Sequence, residues 1–175
     1  MSRDAVSIRD ATEDDLAGIF AIYDPEVLHG TATFDTECKT PAERVEWLRA
    51  HAEPRRPLLV AVCGGKVAGW ASLSAWSERC AYARAAENSV YVAADARGRG
   101  IGRALLEELA RRARAAGIAV LLARIVEGNP ASLRLHRSVG FRTIGVMRRV
   151  GEKFGKVLDV ELLELHLDGS DRSAV

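Results

Sequence analysis

The sequence predicts an α/β (α+β) fold in one domain, with about seven strands and about four helices in the order β-α-α-β-β-β-α-β-α-β-β. Three observations predict it. Apolar runs of strand length alternate with segments of helical period, two helices open on recognisable caps, and a Gly-Gly pair between two apolar runs marks a hairpin. The 175 residues, 48% of them hydrophobic, suffice for one core and not for two, so the domain is expected to span 1–175.

Residues 6–9 read as a short strand. Thr12-Glu-Asp-Asp15 has the shape of a helix N-cap with acids in the first turn, where they face the positive end of the helix dipole. That helix is expected to run to about Tyr23 and to stop at Asp24-Pro25, because proline lacks an N–H and collides with the preceding turn. A polar loop with Gly30, Thr31 and Thr33 follows. Thr40-Pro-Ala-Glu43 is a capping box with proline at the first helical position, and it starts a second helix carrying Val45, Trp47 and Leu48 to about Ala52. Pro54 and Pro57 end it.

Residues 58–63 and 66–73 flank Gly64-Gly65 as strand, turn, strand, and 89–93 form a further strand. Residues 101–116 alternate apolar and charged positions at helical spacing, with Arg103/Glu107, Glu107/Arg111 and Glu108/Arg112 as i,i+4 pairs, until Gly117 stops the helix. The almost wholly apolar 119–126 has the pattern of a strand covered on both faces. Asn129-Pro130 caps a short helix, strands near 141–149 and 157–167 complete the core, and 168–175 reads as a polar tail.

Composition excludes several functions. Lys+Arg number 25 against 24 Asp+Glu, a net charge of +1, so there is no basic field for nucleic acid. Cys38, Cys63 and Cys80 are odd in number, widely spaced and without a C-x-x-C pair, which argues against disulfides and against a metal site. A reducing, cytoplasmic setting is expected. The first ten residues hold no apolar run of signal-peptide length, and nowhere do ~18 apolar residues follow one another, so no membrane partner is expected.

The most informative segment is Ser89-Val-Tyr-Val-Ala-Ala-Asp-Ala-Arg-Gly-Arg-Gly-Ile-Gly102, a strand entering three alternating glycines that open a charged amphipathic helix. Gly98, Gly100 and Gly102 let the chain approach a ligand closely, and the free N–H groups of the first helical turn favour a phosphate. Arg97, Arg99 and Arg103 add positive charge. A dinucleotide site would want an acidic residue about 20 positions later, where Leu121 and Leu122 stand, and a P-loop would want Gly-Lys-Ser/Thr where the chain has Gly102-Arg-Ala104. Both readings fail.

Arg97-Gly-Arg-Gly-Ile-Gly102 resembles the signature Arg/Gln-x-x-Gly-x-Gly/Ala of the GNAT superfamily of N-acetyltransferases. Asn129-Pro-Ala-Ser-Leu-Arg-Leu-His-Arg-Ser-Val-Gly-Phe141 is similar to a second superfamily pattern, Asn-x-x-Ala-x-x-Leu-Tyr-x-x-x-Gly-Phe, with Ser132 in place of Ala and His136 in place of Tyr. The resemblance covers about residues 6–167. It implies a GNAT fold with a central mixed, twisted sheet and acetyl-CoA as acetyl donor. Within it, Val90, Tyr91 and Val92 would pair with the pantetheine arm. Arg97, Gly98, Arg99, Gly100, Ile101, Gly102 and Arg103 would hold the pyrophosphate, with Asn129 and Ser132 also at the cofactor.

Acetyl transfer needs an amine stripped of its proton, and a carboxylate or a relayed water can accept it. Glu87 is the choice: Glu87-Asn-Ser-Val-Tyr-Val92 resembles the Glu-x-Ser/Thr-Val-Tyr-Val segment of the phosphinothricin acetyltransferases, where the glutamate is a proposed base. Otherwise it is a solvated residue at a strand end. His136 stands where many GNAT enzymes place the tyrosine that protonates the departing thiolate, and imidazole can give or take that proton. A histidine merely satisfied at the edge of the core is the competing reading. The thioester carbonyl would be polarised by a backbone N–H of 90–92.

Trp76-Ser-Glu-Arg-Cys-Ala-Tyr82, with Glu87 five residues on, is similar to Trp-x-x-Arg-x-Ala-Tyr-x-x-x-x-Glu of the phosphinothricin and methionine sulfoximine acetyltransferases, which acetylate the α-amine of small amino acids. Arg79 could grip a carboxylate by two parallel bonds, with Trp76 and Tyr82 as walls. Thr33-Phe34 resembles a pair whose phenylalanine lines the acceptor site, and Lys153 falls in a loop that covers it, although a solvated lysine is as good a reading. A homodimer is implied by resemblance alone. The other functions open are a protein N-terminal or lysine acetyltransferase and a non-catalytic acyl-CoA binding module, the latter disfavoured by Glu87 and His136.

Overall fold

In the computed structural model, residues 5–169 are described, so the expected polar tail lies outside them from residue 170 onward. Gly64 and Gly65 both adopt positive φ, 56° and 76°, which a tight turn between twisted strands requires. They join β2 (Leu58–Cys63) to β3 (Lys66–Ala75). β1 (Ser7–Asp10) pairs antiparallel with β2, and β4 (Ala85–Val92) pairs antiparallel with β3 from Ala75↔Ala86 to Gly69↔Val92. β5 (Val120–Val126) runs parallel to its neighbour β4, and the hairpin of β6 (Arg142–Lys153) and β7 (Lys156–His166) follows in the sheet order β1-β2-β3-β4-β5-β7-β6.

The sheet separates two apolar layers. Leu59, Ala61, Ala71, Leu73, Ala86, Leu121, Ala123 and Leu163 face α3 (Ile101–Ala115), which buries Ile101, Leu105, Leu106 and Leu109 against them. α4 (Pro130–Val139) lies beside α3 on that side. Leu58, Val60 and Trp70 point the other way, onto Ile19 and Phe20 of α1 (Leu16–Leu28), with Trp47 of α2 (Pro41–Ala50) closing the layer. The period of two along each strand therefore decides which layer every side chain enters.

Several boundaries differ from the sequence reading. α1 does not stop at Pro25 but runs one turn further to Leu28, with His29 N and Gly30 N donating to Pro25 O and Glu26 O. The ~3 kcal/mol usually lost at an internal proline is offset by tertiary contacts: Val27 is buried, Arg97 bonds the Glu26 carboxylate, and Lys153 Nζ donates to Glu26 O. β4 begins at Ala85 rather than 89, because 86–92 ladder onto β3 and 85–87 onto β5. β6 reaches Lys153, carried past Arg149 by a register shift between Met147 and Gly151. α2 and α3 end within two residues of their expected limits.

Asp15 anchors the entry to α1. Its buried carboxylate accepts from Arg9 NH1 and NH2 at 2.6 and 2.8 Å and from Thr12 N at 2.8 Å, and these bonds, that from Arg9 foremost, hold it below the usual aspartate range. A carboxylate lowered in this way stabilises fully above its unfolded value of 3.8 and loses that contribution as pH falls through its folded value. Asp15→Asn should cost about 2 kcal/mol at pH 7, a loss of several degrees in thermal midpoint. The gap between the two melts should narrow below about pH 4. Coincident melts at pH 7 would show that the cluster contributes nothing.

Candidate active site

β4 and β5 pair only from Ala85↔Val120 to Glu87↔Leu122, and beyond that they diverge. On the diverging side, alternate backbone N–H and C=O groups of 88–92 have no strand partner among the described residues. The split opens a cavity of about 1040 Å³ whose wall includes Val90, Tyr91 and Val92. This is an extended, hydrogen-bond-ready edge of the kind that a linear amide-bearing ligand can join as an extra strand.

One end of the cleft is the glycine turn. Gly98 and Gly100 adopt φ of 76° and 83°, and a Cβ on either would meet no atom within 4 Å, so their surfaces stay open. Gly100 is the N-cap of α3, whose first N–H groups lie at the wall formed by Gly100, Ile101, Gly102 and Arg103. Gly102 has a different reason for lacking a side chain: a Cβ would sit 3.0 Å from Leu135 Cδ2 of α4. Arg97 and Arg103 line the cavity while bonded to Glu26 and Glu107 at 3.1 and 2.8 Å. Arg99 does not line it, because its guanidinium runs to Cys63 Sγ at 3.4 Å. Asn129 and Ser132 are at the wall, where Asn129 Oδ1 caps α4 by accepting from Ser132 N.

The opposite end holds Glu87. Its side chain is 15% exposed and both its oxygens accept from the Arg124 guanidinium, Oε1 from Nε at 2.7 Å. The bond to Glu87 raises the already high pKa of Arg124, and the Arg124 guanidinium lies 5.6 Å from the centre of the Trp76 ring. Arg124 escaped the sequence reading, although an arginine within the apolar run 120–126 was a visible signal.

His136 reaches the cleft from the other layer. Glu87 and Asn88 are consecutive on β4 and so point to opposite faces; Asn88 meets α4, and its Nδ2 lies 2.9 Å from His136 Nε2. His136 Nδ1 is 2.8 Å from Ser132 O, a carbonyl that can only accept, so the proton is on Nδ1 and Nε2 accepts from Asn88. Burial pushes the imidazole below its usual pKa, which keeps it neutral. Asn88 Oδ1 is buried without a hydrogen-bond partner among the described residues, and Asn88 also went unnoticed in the sequence.

The expected acceptor residues divide. Phe34 lines the cavity, its ring packed where a Cβ on Gly151 would stand. Trp76 supports Arg124 from outside the wall. Arg79 and Tyr82 are exposed on the segment between β3 and β4, at the 3-10 turn Cys80–Tyr82, and neither lines the cavity. Lys153 is neither solvated nor at the wall: it is buried, and Nζ donates to Glu26 O and Thr33 O at 3.1 and 2.8 Å. Burial lowers its pKa, and its work is to pin the loop carrying Phe34. Tyr23 and Tyr91, both raised in pKa by burial, hold the same loop through Thr33, Asp35 and Ala32 O. Among the described residues no cluster of metal-binding side chains occurs.

A split parallel pair with a glycine turn at the head of the following helix is the frame of an acyl-CoA-dependent acyltransferase. The profile of the Acetyltransferase (GNAT) family matches residues 13–141. An L-methionine sulfoximine/L-methionine sulfone acetyltransferase of Pseudomonas paraeruginosa is 44% identical over 165 residues, 94% of this chain and 96% of that protein. The crystal structure of a GNAT superfamily phosphinothricin acetyltransferase from Sinorhizobium meliloti in complex with acetyl-CoA superposes with a TM-score of 0.89 at 36% identity, covering 97% of this chain and 93% of the other. That of a ribosomal-protein-alanine N-acetyltransferase from Brucella melitensis gives 0.88 at 41% identity, covering 91% and 99%. The chain belongs to the GNAT family of acetyltransferases, with acetyl-CoA as its acetyl donor.

Gly100→Val should weaken acetyl-CoA binding at least tenfold, since a branched side chain at φ of 83° costs about 1–2 kcal/mol in backbone strain and crowds the phosphate cradle. Titration calorimetry on the folded variant checks this. An unchanged Kd would remove the cradle from the argument.

Proposed function

We propose that this enzyme acetylates the α-amine of a small amino acid or analogue of the methionine sulfoximine or phosphinothricin type. The observation that carries the reading is the cleft itself, whose open β4 edge runs from an anion cradle at Gly98–Arg103 to a carboxylate at Glu87. The methionine sulfoximine relative supports the acceptor class. Acetyl-CoA supplies an activated thioester, and every other task falls to the chain. The turn at 97–103 holds the pyrophosphate, and 90–92 pairs with the pantetheine amides and presents an N–H to the carbonyl. Asn129 and Ser132 border the cofactor end.

Glu87 takes the proton of the ammonium group, directly or through a water. His136 is carried as the second proton-transfer group, and its neutral state with a lone pair at Nε2 makes it an acceptor at rest. Phe34 walls the acceptor side chain. Arg79 and Tyr82 are given no contact with the acceptor in this reading, which their exposure and their absence from the cavity wall support.

Thiol release across free amino acids, phosphinothricin, methionine sulfoximine and an Ala-terminated peptide tests the reading. A free acid should be the best acceptor. Glu87→Gln should lower kcat about 10²–10⁴-fold with acetyl-CoA affinity within twofold, and high pH should rescue part of the loss by deprotonating the amine. A protein N-terminal acetyltransferase is the second reading, favoured by the name of the Brucella melitensis neighbour. Preference for the peptide would select it.

We further propose a single domain over 1–175, a homodimer, and a cytoplasmic setting. No disulfide joins Cys38, Cys63 and Cys80, which suits a reducing compartment, and no helix of the described residues is long and apolar enough to cross a membrane. Exposed Ile144, Val146, Val150, Phe154 and Val157 give the β6–β7 hairpin an apolar surface for a second copy. Light scattering should return twice the chain's 19.0 kDa, and Val146→Glu should return the single mass. A wild-type monomer at micromolar concentration would refute the dimer.

A further inference from the structure

We infer that Arg124 binds the α-carboxylate of the acceptor and that, in doing so, it releases Glu87 to act as base. The inference rests on the proposed amino-acid acetyltransferase reading and deepens it.

Position comes first. Leu122 is the last β5 residue paired with β4, and Arg124 stands two residues further on the same face, at the throat of the split and opposite Glu87. Three cationic side chains line the cavity among the described residues, Arg97, Arg103 and Arg124. The first two belong to the glycine turn. Only Arg124 stands where the acceptor must lie, and Arg79, the sequence's candidate for the carboxylate, is exposed outside the wall.

Bonding comes second. Both Glu87 oxygens are taken by the Arg124 fork. In that arrangement the carboxylate and the guanidinium are engaged with each other, and neither is turned to a ligand in the cleft. As the pair stands, both oxygens of the candidate base are occupied by a neighbour. The Arg124 side chain is 53% exposed and its guanidinium rests at the Trp76 ring rather than in the packed core, so it is free to change partner without disturbing the sheet.

A free amino acid carries the complement of this pair on adjacent atoms. Its carboxylate can take the planar guanidinium in two parallel bonds while its ammonium turns to the Glu87 carboxylate, so one ion pair becomes two. Glu87 then faces an N–H⁺ donor and accepts its proton, leaving a neutral amine to attack the thioester and a carboxylic acid on Glu87. An amide or a simple amine brings no anion, and Glu87 stays bound to Arg124. Discrimination between acid and amide therefore appears in kcat as well as in KM, which a passive carboxylate pocket would not produce.

The test is steady-state kinetics of the wild type, Arg124→Ala, Arg124→Lys and Arg79→Ala on the best free amino acid of the panel and on its amide, with acetyl-CoA affinity measured in parallel. In the wild type, kcat/KM should favour the acid at least a hundredfold. Arg124→Ala should raise KM for the acid at least tenfold, raise kcat for the amide, and bring the acid-to-amide ratio to within a few fold of unity, with acetyl-CoA binding unchanged. Arg124→Lys should retain part of the acid preference but less than the wild type, since it keeps the charge and loses the fork. Arg79→Ala should change neither substrate. A wild-type ratio retained by Arg124→Ala, or lost in Arg79→Ala instead, overturns the inference and leaves the amino-acid activity standing. Failure of the wild type to acetylate any free amino acid overturns that activity itself.

Discussion

The rest of the site depends on where the parallel ladder between β4 and β5 stops. Three residue pairs, ending at Glu87↔Leu122, hold the two halves of the sheet together at that seam. Past them the strands part, and a stretch of backbone that would otherwise be satisfied by a neighbour is left facing a cavity. An unsatisfied strand edge is costly when buried and inviting when open. Here it is open toward a volume of about 1040 Å³, large enough for an extended ligand. The constraint also explains why Glu87 and His136 approach the same space from opposite layers. In an unbroken sheet, consecutive β4 side chains such as Glu87 and Asn88 would be separated by the sheet itself, and only the split lets both faces reach one cleft.

The roof of the cleft is held by polar bonds rather than by apolar packing. The 31–35 loop carries Phe34, and its carbonyls at Ala32 and Thr33 are taken by Tyr91 and Lys153, while Tyr23 reaches Thr33 and Asp35. Lys153 comes from the end of β6 and also bonds Glu26 O at the end of α1, so three distant segments meet at one ammonium group. Burial of such a group is tolerated because its donors meet carbonyl acceptors.

The fold was largely legible because its signals are local. The capping box at Thr40, the Gly64-Gly65 turn and the apolar run at 119–126 each report on their own neighbourhood. The sequence misled where tertiary contacts overrode a local rule. Pro25 does not end α1 because Val27, Glu26 and Lys153 hold the next turn, and β4 reaches back to Ala85 because its pairing with β3 and β5 is invisible in the sequence. For the site, the glycine turn and the 90–92 strand were readable as a continuous motif that the structure brings to one wall. Arg79 and Lys153 read plausibly as acceptor residues, but the exposure of the first and the buried carbonyl pair that holds the second depend on tertiary surroundings that no spacing encodes. Arg124 and Asn88 were hidden for a related reason: each matters through a partner 37 or 48 residues away.

Net charge explains less here than pairing does. The chain carries only +1, yet its cleft must receive a cofactor with several phosphates. The three arginines at the wall are each neutralised at rest, Arg97 by Glu26, Arg103 by Glu107 and Arg124 by Glu87. Their side chains are 60%, 58% and 53% exposed. An exposed pair such as Arg103 with Glu107 is generally worth ~0.2–1 kcal/mol, so exchanging its carboxylate for a phosphate costs little. A bare cationic cleft would instead repel itself and attract any polyanion. Resting ion pairs that can be exchanged let a nearly neutral protein bind a strongly anionic cofactor, and they confine its positive charge to the two ends of the cleft.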